Sequence, residues 1–149
     1  MTVVYTIGHT RKSLERFIRL LQEAGVDAVI DVRLRNTSQL AGFAKRDDLA
    51  FLLREGFDIE YEHRPDLAPT PEILDAYRTG GDWPAYQTSF EALLARREAE
   101  EAGRELLARY RQPCLLCAEP APDRCHRRLV AEWWARKLPG VEVKHLIDR

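Results

Sequence analysis

The sequence has no long apolar run and few cysteines, and both shortages exclude classes of protein. No apolar stretch approaches the roughly 20 residues that span a bilayer. The amino terminus has no basic region followed by a long apolar stretch, as a signal peptide would. Three cysteines in 149 residues are an odd number that does not suit a disulfide framework. We therefore expect a soluble, cytoplasmic protein with no membrane partner.

An excess of charge of one sign is also missing. Lysine and arginine number 23 against 24 aspartates and glutamates, a formal net charge of -1. Proteins that coat nucleic acid usually carry a basic excess, so the net charge does not indicate a nucleic-acid partner. A local basic patch is still possible. Hydrophobic residues at 45% and charged residues at 32% argue against disorder. We expect one domain over residues 1–149.

Five short apolar segments alternate with helical patterns along the chain. The predicted strands are residues 3–7, 26–32, 58–63, 113–118 and 141–147. A helical insertion separates strands three and four, and single helices fill the other connections. This alternation predicts a three-layer, Rossmann-like α/β fold with a mostly parallel five-stranded sheet.

The strand patterns also predict the strand order. Strands one, two and four are nearly continuous apolar runs, which is typical of interior parallel strands. Strands three and five alternate apolar and polar residues, as edge strands do. With right-handed crossovers, these patterns predict the order 3-2-1-4-5. The winding then reverses between strands one and four, where open α/β sheets bind their ligands at the carboxyl ends.

Polar residues that can carry chemistry follow these strands directly. The candidate catalytic residues are Cys125, Cys117, His126, Glu119 and His9. Cys125 lies near a helix N-terminus among basic residues, which favours a thiolate. Cys117 ends an apolar strand, so a core role is the alternative. The histidines and Glu119 suit proton transfer, and a half-buried structural role for them stays open.

A second group of candidates would bind an anionic substrate. Its members are Asp31, Arg33, Arg127 and Thr10. Arg127, beside the free amides of the last helix, can hold a phosphate or a carboxylate, or lie in solvent. Asp31 and Arg33 can instead form an ion pair with each other.

A metal site is not predicted from the spacing of the soft ligands. Cys114 and Cys117 are three positions apart in a strand and should point to opposite faces. The adjacent Cys125 and His126 should also converge poorly on one ion, and the usual two-knuckle spacing is absent. We therefore predict no metal and leave any cofactor undetermined.

A rhodanese-like or cysteine-phosphatase-like site is a further alternative. Cys117 ends a strand and Arg124 follows near a helix start, but the separation is seven positions where phosphatase loops have six. The intervening loop also holds two prolines and no glycine, which removes amide donors.

Several motifs together resemble the domain-of-unknown-function family 488 (DUF488) over nearly the whole chain. They are Thr6-Ile-Gly-His9 with Ser13-Leu14, Val29-Ile-Asp-Val-Arg33, Phe43 ahead of Leu49, Trp83-x-x-Tyr86 with Phe90 and Leu93, Leu115-Leu-Cys-Ala-Glu119, Cys125-His-Arg127 and Val143-Lys-His145. The resemblance implies an enzyme-like site at His9, Asp31, Arg33, Cys117, Glu119, Cys125, His126 and Arg127, without a settled activity. After Arg33 the chain departs from the family pattern, so no substrate contact of that loop is implied.

These observations predict an enzyme that acts on a small anionic or nucleotide-like substrate at the carboxyl ends of the strands. Whether it is a cysteine-dependent hydrolase or transferase stays open. The rival from another class is a non-catalytic module that binds a nucleotide or a nucleic-acid end, with Trp83 or Tyr86 stacking on a base. The oligomeric state is left undetermined.

Overall fold

The computed structural model describes residues 2–148, which form a parallel sheet covered on both faces by helices. The strands are β1 (Thr2–Gly8), β2 (Ala28–Asp31), β3 (Glu60–His63), β4 (Pro113–Cys117) and β5 (Val141–Leu146). The α-helices are α1 (Leu14–Ala24), α2 (Arg46–Phe57), α3 (Pro71–Gly80), α4 (Trp83–Arg96), α5 (Ala99–Arg109) and α6 (His126–Lys137). Short 3-10 turns cover Gln39–Ala44 and Pro65–Leu67. No helix among these residues combines the length and the apolar character needed to cross a bilayer.

The α/β fold and the helical insertion between β3 and β4 are confirmed, but the positions of two strands differ from the expectation. The strand order is β3-β2-β4-β1-β5, so the predicted order 3-2-1-4-5 had β1 and β4 interchanged. The predicted edges are correct. Both interchanged strands are buried along nearly their whole length, so their apolar patterns are equivalent and could not decide which one pairs with β2.

The interchange leaves β1 and β4 adjacent in the sheet. β1 and β4 pair in parallel with Gly8 opposite Cys117, so their carboxyl ends lie side by side. The connection from β1 runs one way along the sheet and the connection from β4 runs the other. The reversal therefore still falls between these two strands, at the edge where a ligand site is expected.

Two hydrophobic cores hold the helices against the sheet. On one face, α1 and α2 pack Phe17, Leu21 and Leu53 against side chains of β1, β2 and β4. The Ser13 side chain caps α1, and Gly25 ends it in the left-handed conformation that glycine accepts readily. On the other face, α4, α5 and α6 pack around the fully buried Trp134. The insertion helix α3 borders this second core and overhangs the carboxyl ends of β2 and β4.

Candidate active site

A pocket of about 150 Å³ opens at the carboxyl end of β4. Its walls come from the segment after β2, from α3, from α4 and from the β4–α6 loop. The lining residues are Arg33, Leu34, Arg35, Pro69, Leu74, Tyr77, Arg78, Trp83, Tyr86, Cys117, Ala118, Glu119, Arg124, Cys125 and His126. The pocket thus joins an aromatic wall, several arginines and a group of cysteine and histidine side chains.

Three of the lining side chains form a compact buried group, which we call the thiol cluster: Cys117, Cys125 and His126. One ligand atom from each lies within 4.8 Å of the others. The Cys117 Sγ is 3.6 Å from the His126 Nδ1. Cys117 ends β4, while Cys125 occupies the N-terminal cap position of α6 and His126 is the first helical residue. The expectation that Cys125 and His126 diverge is therefore wrong, because the extended backbone of Cys125 takes it out of helical rotation.

The orientation of the His126 ring is set by a backbone carbonyl. Its Nε2 lies 2.5 Å from the Val32 carbonyl oxygen, and an oxygen of this kind can only accept a hydrogen bond. The Nε2 therefore carries the proton, and the lone pair of Nδ1 faces the Cys117 sulfur. This arrangement leaves His126 ready to accept a proton from a thiol.

The two thiols of the cluster have opposite pKa shifts. A hydrogen bond from Cys125 is the main cause that lowers the Cys117 pKa; the Arg127 charge and the amides of Ala118 and Glu119 act in the same direction, against burial. Burial, together with the neighbouring Cys117 sulfur, raises the pKa of Cys125. The sequence had favoured Cys125 as the thiolate, but its burial beside the Cys117 sulfur outweighs its place at a helix N-terminus. The favoured thiolate is Cys117.

The third cysteine lies elsewhere. Cys114 is fully buried in the core beneath α1 and α2, on the sheet face away from the pocket, as its odd separation from Cys117 predicted. Burial raises its pKa well above the ordinary range of a thiol. Cys114 is therefore a core residue and a matched control for the thiol cluster.

Asp31 and Arg33 form the centre of a buried network with Tyr61 and Asn36. The Arg33 Nε and Nη2 donate to the two Asp31 carboxylate oxygens at 2.8 and 2.7 Å, and Nη2 also donates to the Ala44 carbonyl. The Tyr61 hydroxyl and the Asn36 amide donate to Asp31 as well. Asp31 is fully buried and occupied by these partners, whereas Arg33 also borders the pocket. Within residues 2–148 its Nη1 has no hydrogen-bond partner.

Burial alone would raise the pKa of Asp31. The hydrogen bonds and charge of Arg33, with the hydrogen bond from Tyr61, outweigh it and hold the pKa of this carboxyl below its usual range. Nearby His9 is buried, and burial together with the Arg33 charge lowers its pKa to about 4. His9 is therefore a neutral imidazole near pH 7.

The β1 end and the β4–α6 loop are joined by close backbone contacts. The backbone N–H groups of His9 and Thr10 donate to the carbonyls of Cys117 and Ala118, and the Thr10 hydroxyl donates to the Ala118 carbonyl at 2.6 Å. A Cβ added to Gly8 would lie 1.6 Å from the Glu119 carbonyl oxygen, so the approach requires glycine. Thr10 and His9 therefore position the loop that carries Cys117.

Arg127 lies behind the same loop. Its side chain is fully buried, and its Nη1 donates to the Glu119 carbonyl oxygen at 2.6 Å. Among the described residues its Nε and Nη2 have no hydrogen-bond partner, and no carboxylate lies within 4.0 Å. The Glu119 side chain, in contrast, is exposed at the pocket. Arg127 therefore acts on the site without lining the pocket. Its charge lowers the pKa of Cys117, and its hydrogen bond to the Glu119 carbonyl fixes the loop.

Several pocket residues were not singled out from the sequence as binding residues. Tyr77 and Arg78 come from the insertion helix α3, and Arg35 comes from the segment after β2. Arg35 forms an exposed ion pair with Asp75 of α3. The available signal was that an aromatic and basic helix between β3 and β4 follows the carboxyl end of β3. The sequence does not say which side of that edge the helix covers.

Comparison with models of known protein families gives a match. The family model described as "Domain of unknown function DUF488" matches residues 13–134, which include the thiol cluster, Asp31, Arg33, Glu119 and Arg127. His9 and Thr10 precede the matched residues. Comparison with curated proteins and with solved structures yields no match.

Proposed function

The chain belongs to the DUF488 family, and from that premise and the geometry of the pocket we propose that it is a cysteine-dependent enzyme acting on a small anionic, nucleotide-like substrate. The observation that carries the proposal is the thiol cluster at the floor of an arginine-lined pocket. Cys117 contacts an imidazole nitrogen whose lone pair faces it, which is the arrangement of an activated nucleophile.

The pocket charge favours an anion. Among residues 2–148, Arg33, Arg35, Arg78 and Arg124 border it, against one lining carboxylate, that of Glu119. One guanidinium group can donate two parallel hydrogen bonds to two oxygens of a phosphate or a carboxylate, and it keeps its charge at every physiological pH. Arg33 is held in place by Asp31, so it reaches the pocket without a loss of side-chain freedom on binding.

The aromatic wall favours a ring on the substrate. Tyr77, Trp83 and Tyr86 line the same pocket, with Trp83 and Tyr86 stacked at 5.1 Å between ring centroids. Flat aromatic surfaces beside cationic groups suit a planar base attached to an anionic group. This combination is why we name a nucleotide-like substrate rather than a simple inorganic ion.

The proposed reaction starts at the Cys117 sulfur. The thiol proton moves to the His126 Nδ1, and the sulfur attacks an electrophilic carbonyl carbon or phosphorus, whose leaving group departs with the proton from His126. Water or a second substrate then attacks the covalent intermediate, and its proton restores the Cys117 thiol. The Val32 carbonyl orients His126 and stabilises its protonated form through the Nε2–H. Glu119, exposed at the pocket, supplies a second group for proton transfer.

The test is alkylation of the native protein with iodoacetamide, read for each cysteine by peptide mass spectrometry, with and without phosphate or a nucleoside monophosphate. We expect Cys117 to react and to be protected by the anions, while Cys114 stays unlabelled until the protein unfolds. A panel of phosphate esters and thioesters, compared between the wild type and Cys117→Ser, then tests turnover. Three cysteines that stay inert in the folded protein would overturn the proposal.

The aromatic wall also favours a second candidate, a module that binds a nucleotide without reacting with it. In that case a nucleoside monophosphate binds with equal affinity to the wild type and to Cys117→Ser, and the panel shows no turnover by either protein. Trp83→Ala would then weaken binding, because the stacking surface is lost.

A further inference from the structure

We propose that the thiol cluster is a binding site for a thiophilic divalent cation, zinc above all, and that the bound metal occupies the Cys117 sulfur. Cys117, Cys125 and His126 would supply two sulfurs and one imidazole nitrogen. This inference goes beyond the proposed enzyme activity, because metal binding requires only the three ligands and no reaction.

The distance between the Cys117 sulfur and the His126 nitrogen matches that of a tetrahedral site. With zinc–sulfur bonds of about 2.3 Å and zinc–nitrogen bonds of about 2.0–2.1 Å, a tetrahedral angle separates the sulfur and the nitrogen by about 3.6 Å. The Cys117 Sγ and the His126 Nδ1 are 3.6 Å apart. All ligand atoms lie within 4.8 Å of one another, so small side-chain rotations bring them to one ion.

The surroundings of His126 are those of a metal ligand. Histidine ligands usually donate their second ring N–H to a carboxylate or a backbone carbonyl, which fixes the tautomer. The His126 Nε2 lies against the Val32 carbonyl oxygen, which leaves the Nδ1 lone pair toward the Cys117 sulfur. The ring is therefore oriented for coordination before any metal arrives.

The charge balance and the open side also favour a divalent ion. Two thiolates and a neutral imidazole give a charge of minus two, which a divalent cation neutralises in a site where all three residues are buried. All three residues line the pocket, so the fourth coordination position faces it. Soft sulfur ligands select zinc over magnesium or calcium.

The metal and the proposed reaction exclude each other at Cys117. A sulfur that is bonded to zinc shares electron density with the metal and is a weaker nucleophile than the free thiolate, so, on the proposed function, the loaded form is inhibited. Removing the metal restores the free thiol with no redox change. The site therefore makes activity depend on the free zinc concentration.

The experiment uses the 149-residue chain after removal of metals with a chelator. We expect elemental analysis to give one zinc per chain after gel filtration, and cobalt to produce a thiolate-to-cobalt charge-transfer absorption that zinc abolishes. Magnesium should produce neither effect. Cys117→Ser and Cys125→Ser should each weaken zinc binding by more than about a hundredfold, while Cys114→Ser, the buried cysteine outside the cluster, should bind zinc as the wild type does.

Alkylation of the wild type tests the same inference without any variant that fails to fold. Zinc should protect Cys117 from iodoacetamide, and a chelator should reverse the protection. Absence of both the cobalt absorption and the zinc protection would overturn the metal site, as would an equal loss of zinc binding in Cys114→Ser. Protection by phosphate but not by zinc would overturn the metal site and leave the proposed enzyme intact. Protection by zinc but not by phosphate would support the metal site and overturn the proposed enzyme.

Discussion

Two buried arginines stand at the carboxyl edge of the sheet, and their surroundings differ in one respect. Arg33 forms a two-pronged ion pair with the fully buried Asp31, and that carboxylate accepts further bonds from Tyr61 and Asn36. Arg127 is as deeply buried, yet among the described residues no carboxylate lies within 4.0 Å of it. Its charge acts instead on the Cys117 sulfur.

The difference separates a charge that is held by a counter-ion from one that is not. A buried charge paired with a carboxylate is fixed in place, and Arg33 still has one nitrogen, Nη1, without a hydrogen-bond partner among the described residues. A buried charge without a counter-ion is costly, and it stabilises any negative charge that forms nearby. We infer that Arg33 anchors the segment after β2, while Arg127 favours the thiolate form of Cys117.

The largest expected effect comes from breaking the satisfied pair. Asp31→Asn keeps the shape of the side chain but leaves Arg33 buried without a counter-ion, and we expect it to lower the free energy of unfolding by about 3–5 kcal/mol. Urea denaturation measures the loss. The exposed pair provides the control, since Arg35→Ala should cost less than about 1 kcal/mol. Equal losses in the two variants would contradict the structural role of Asp31.

The same pair predicts a dependence on pH. Because the Asp31 pKa is lowered in the folded state, the stability it contributes is present above the unfolded pKa, about 3.9, and is lost as pH falls through the folded value. The gap in unfolding free energy between the wild type and Asp31→Asn should therefore be constant from pH 7 to about 5 and shrink below about 4. A gap that does not change on acidification would argue against a charged Asp31.

The next effect concerns the loop that Arg127 holds. Gly8→Ala forces a methyl group into the position of the Glu119 carbonyl, 1.6 Å away, so the loop must move. Overpacking of this kind costs about 1–3 kcal/mol. We also expect slower alkylation of Cys117, because the amides of Ala118 and Glu119 leave its sulfur. Gly80→Ala is the control, since a Cβ there meets no atom within 4 Å. An unchanged rate of Cys117 labelling in Gly8→Ala would show that the position of the loop does not affect the reactivity of the Cys117 thiol.

Sequence patterns predicted the parts of this comparison that lie along one strand or helix. Asp31 and Arg33 follow one apolar strand, and Cys117 ends another, so their meeting at one edge follows from a parallel sheet. The predicted strand order was wrong because β1 and β4 are equally apolar. Tyr61 joins Asp31 from a strand thirty residues away. A partner of that kind depends on the packing of α2 and β3, which no local pattern encodes.

The thiols teach the same lesson about burial. From the sequence, Cys125 at a helix N-terminus was the favoured thiolate, because a helix dipole and basic neighbours lower a thiol pKa. In the folded protein Cys125 is buried at the floor of the pocket, and burial raises its pKa. Position along a helix is visible in a sequence, whereas the degree of enclosure is a property of the whole fold.

A smaller effect separates the two arginines directly. Arg127→Met removes a buried charge that has no carboxylate within 4.0 Å in the described part of the chain, so we expect the free energy of unfolding to change by no more than about 1 kcal/mol, against about 3–5 kcal/mol for Arg33→Met. The rate of Cys117 alkylation at pH 7 should fall by about tenfold in Arg127→Met, because an opposite charge near a thiolate is lost. Equal destabilisation by the two variants would remove the distinction between them.

The smallest effect lies at the rim of the pocket and tests whether Arg35, once freed from its ion pair, binds the anionic ligand. Asp75→Ala releases Arg35 from its exposed ion pair, and since such pairs contribute about 0–1 kcal/mol, stability should hardly change. Phosphate should then protect Cys117 from alkylation at a concentration about twofold to threefold lower, because Arg35 no longer has a competing carboxylate beside it. Salt should reduce this gain, as it screens exposed charges. Weaker protection would mean that Asp75 holds Arg35 in the orientation that binds the anion, so that even an exposed pair at this pocket acts as Asp31 does for Arg33.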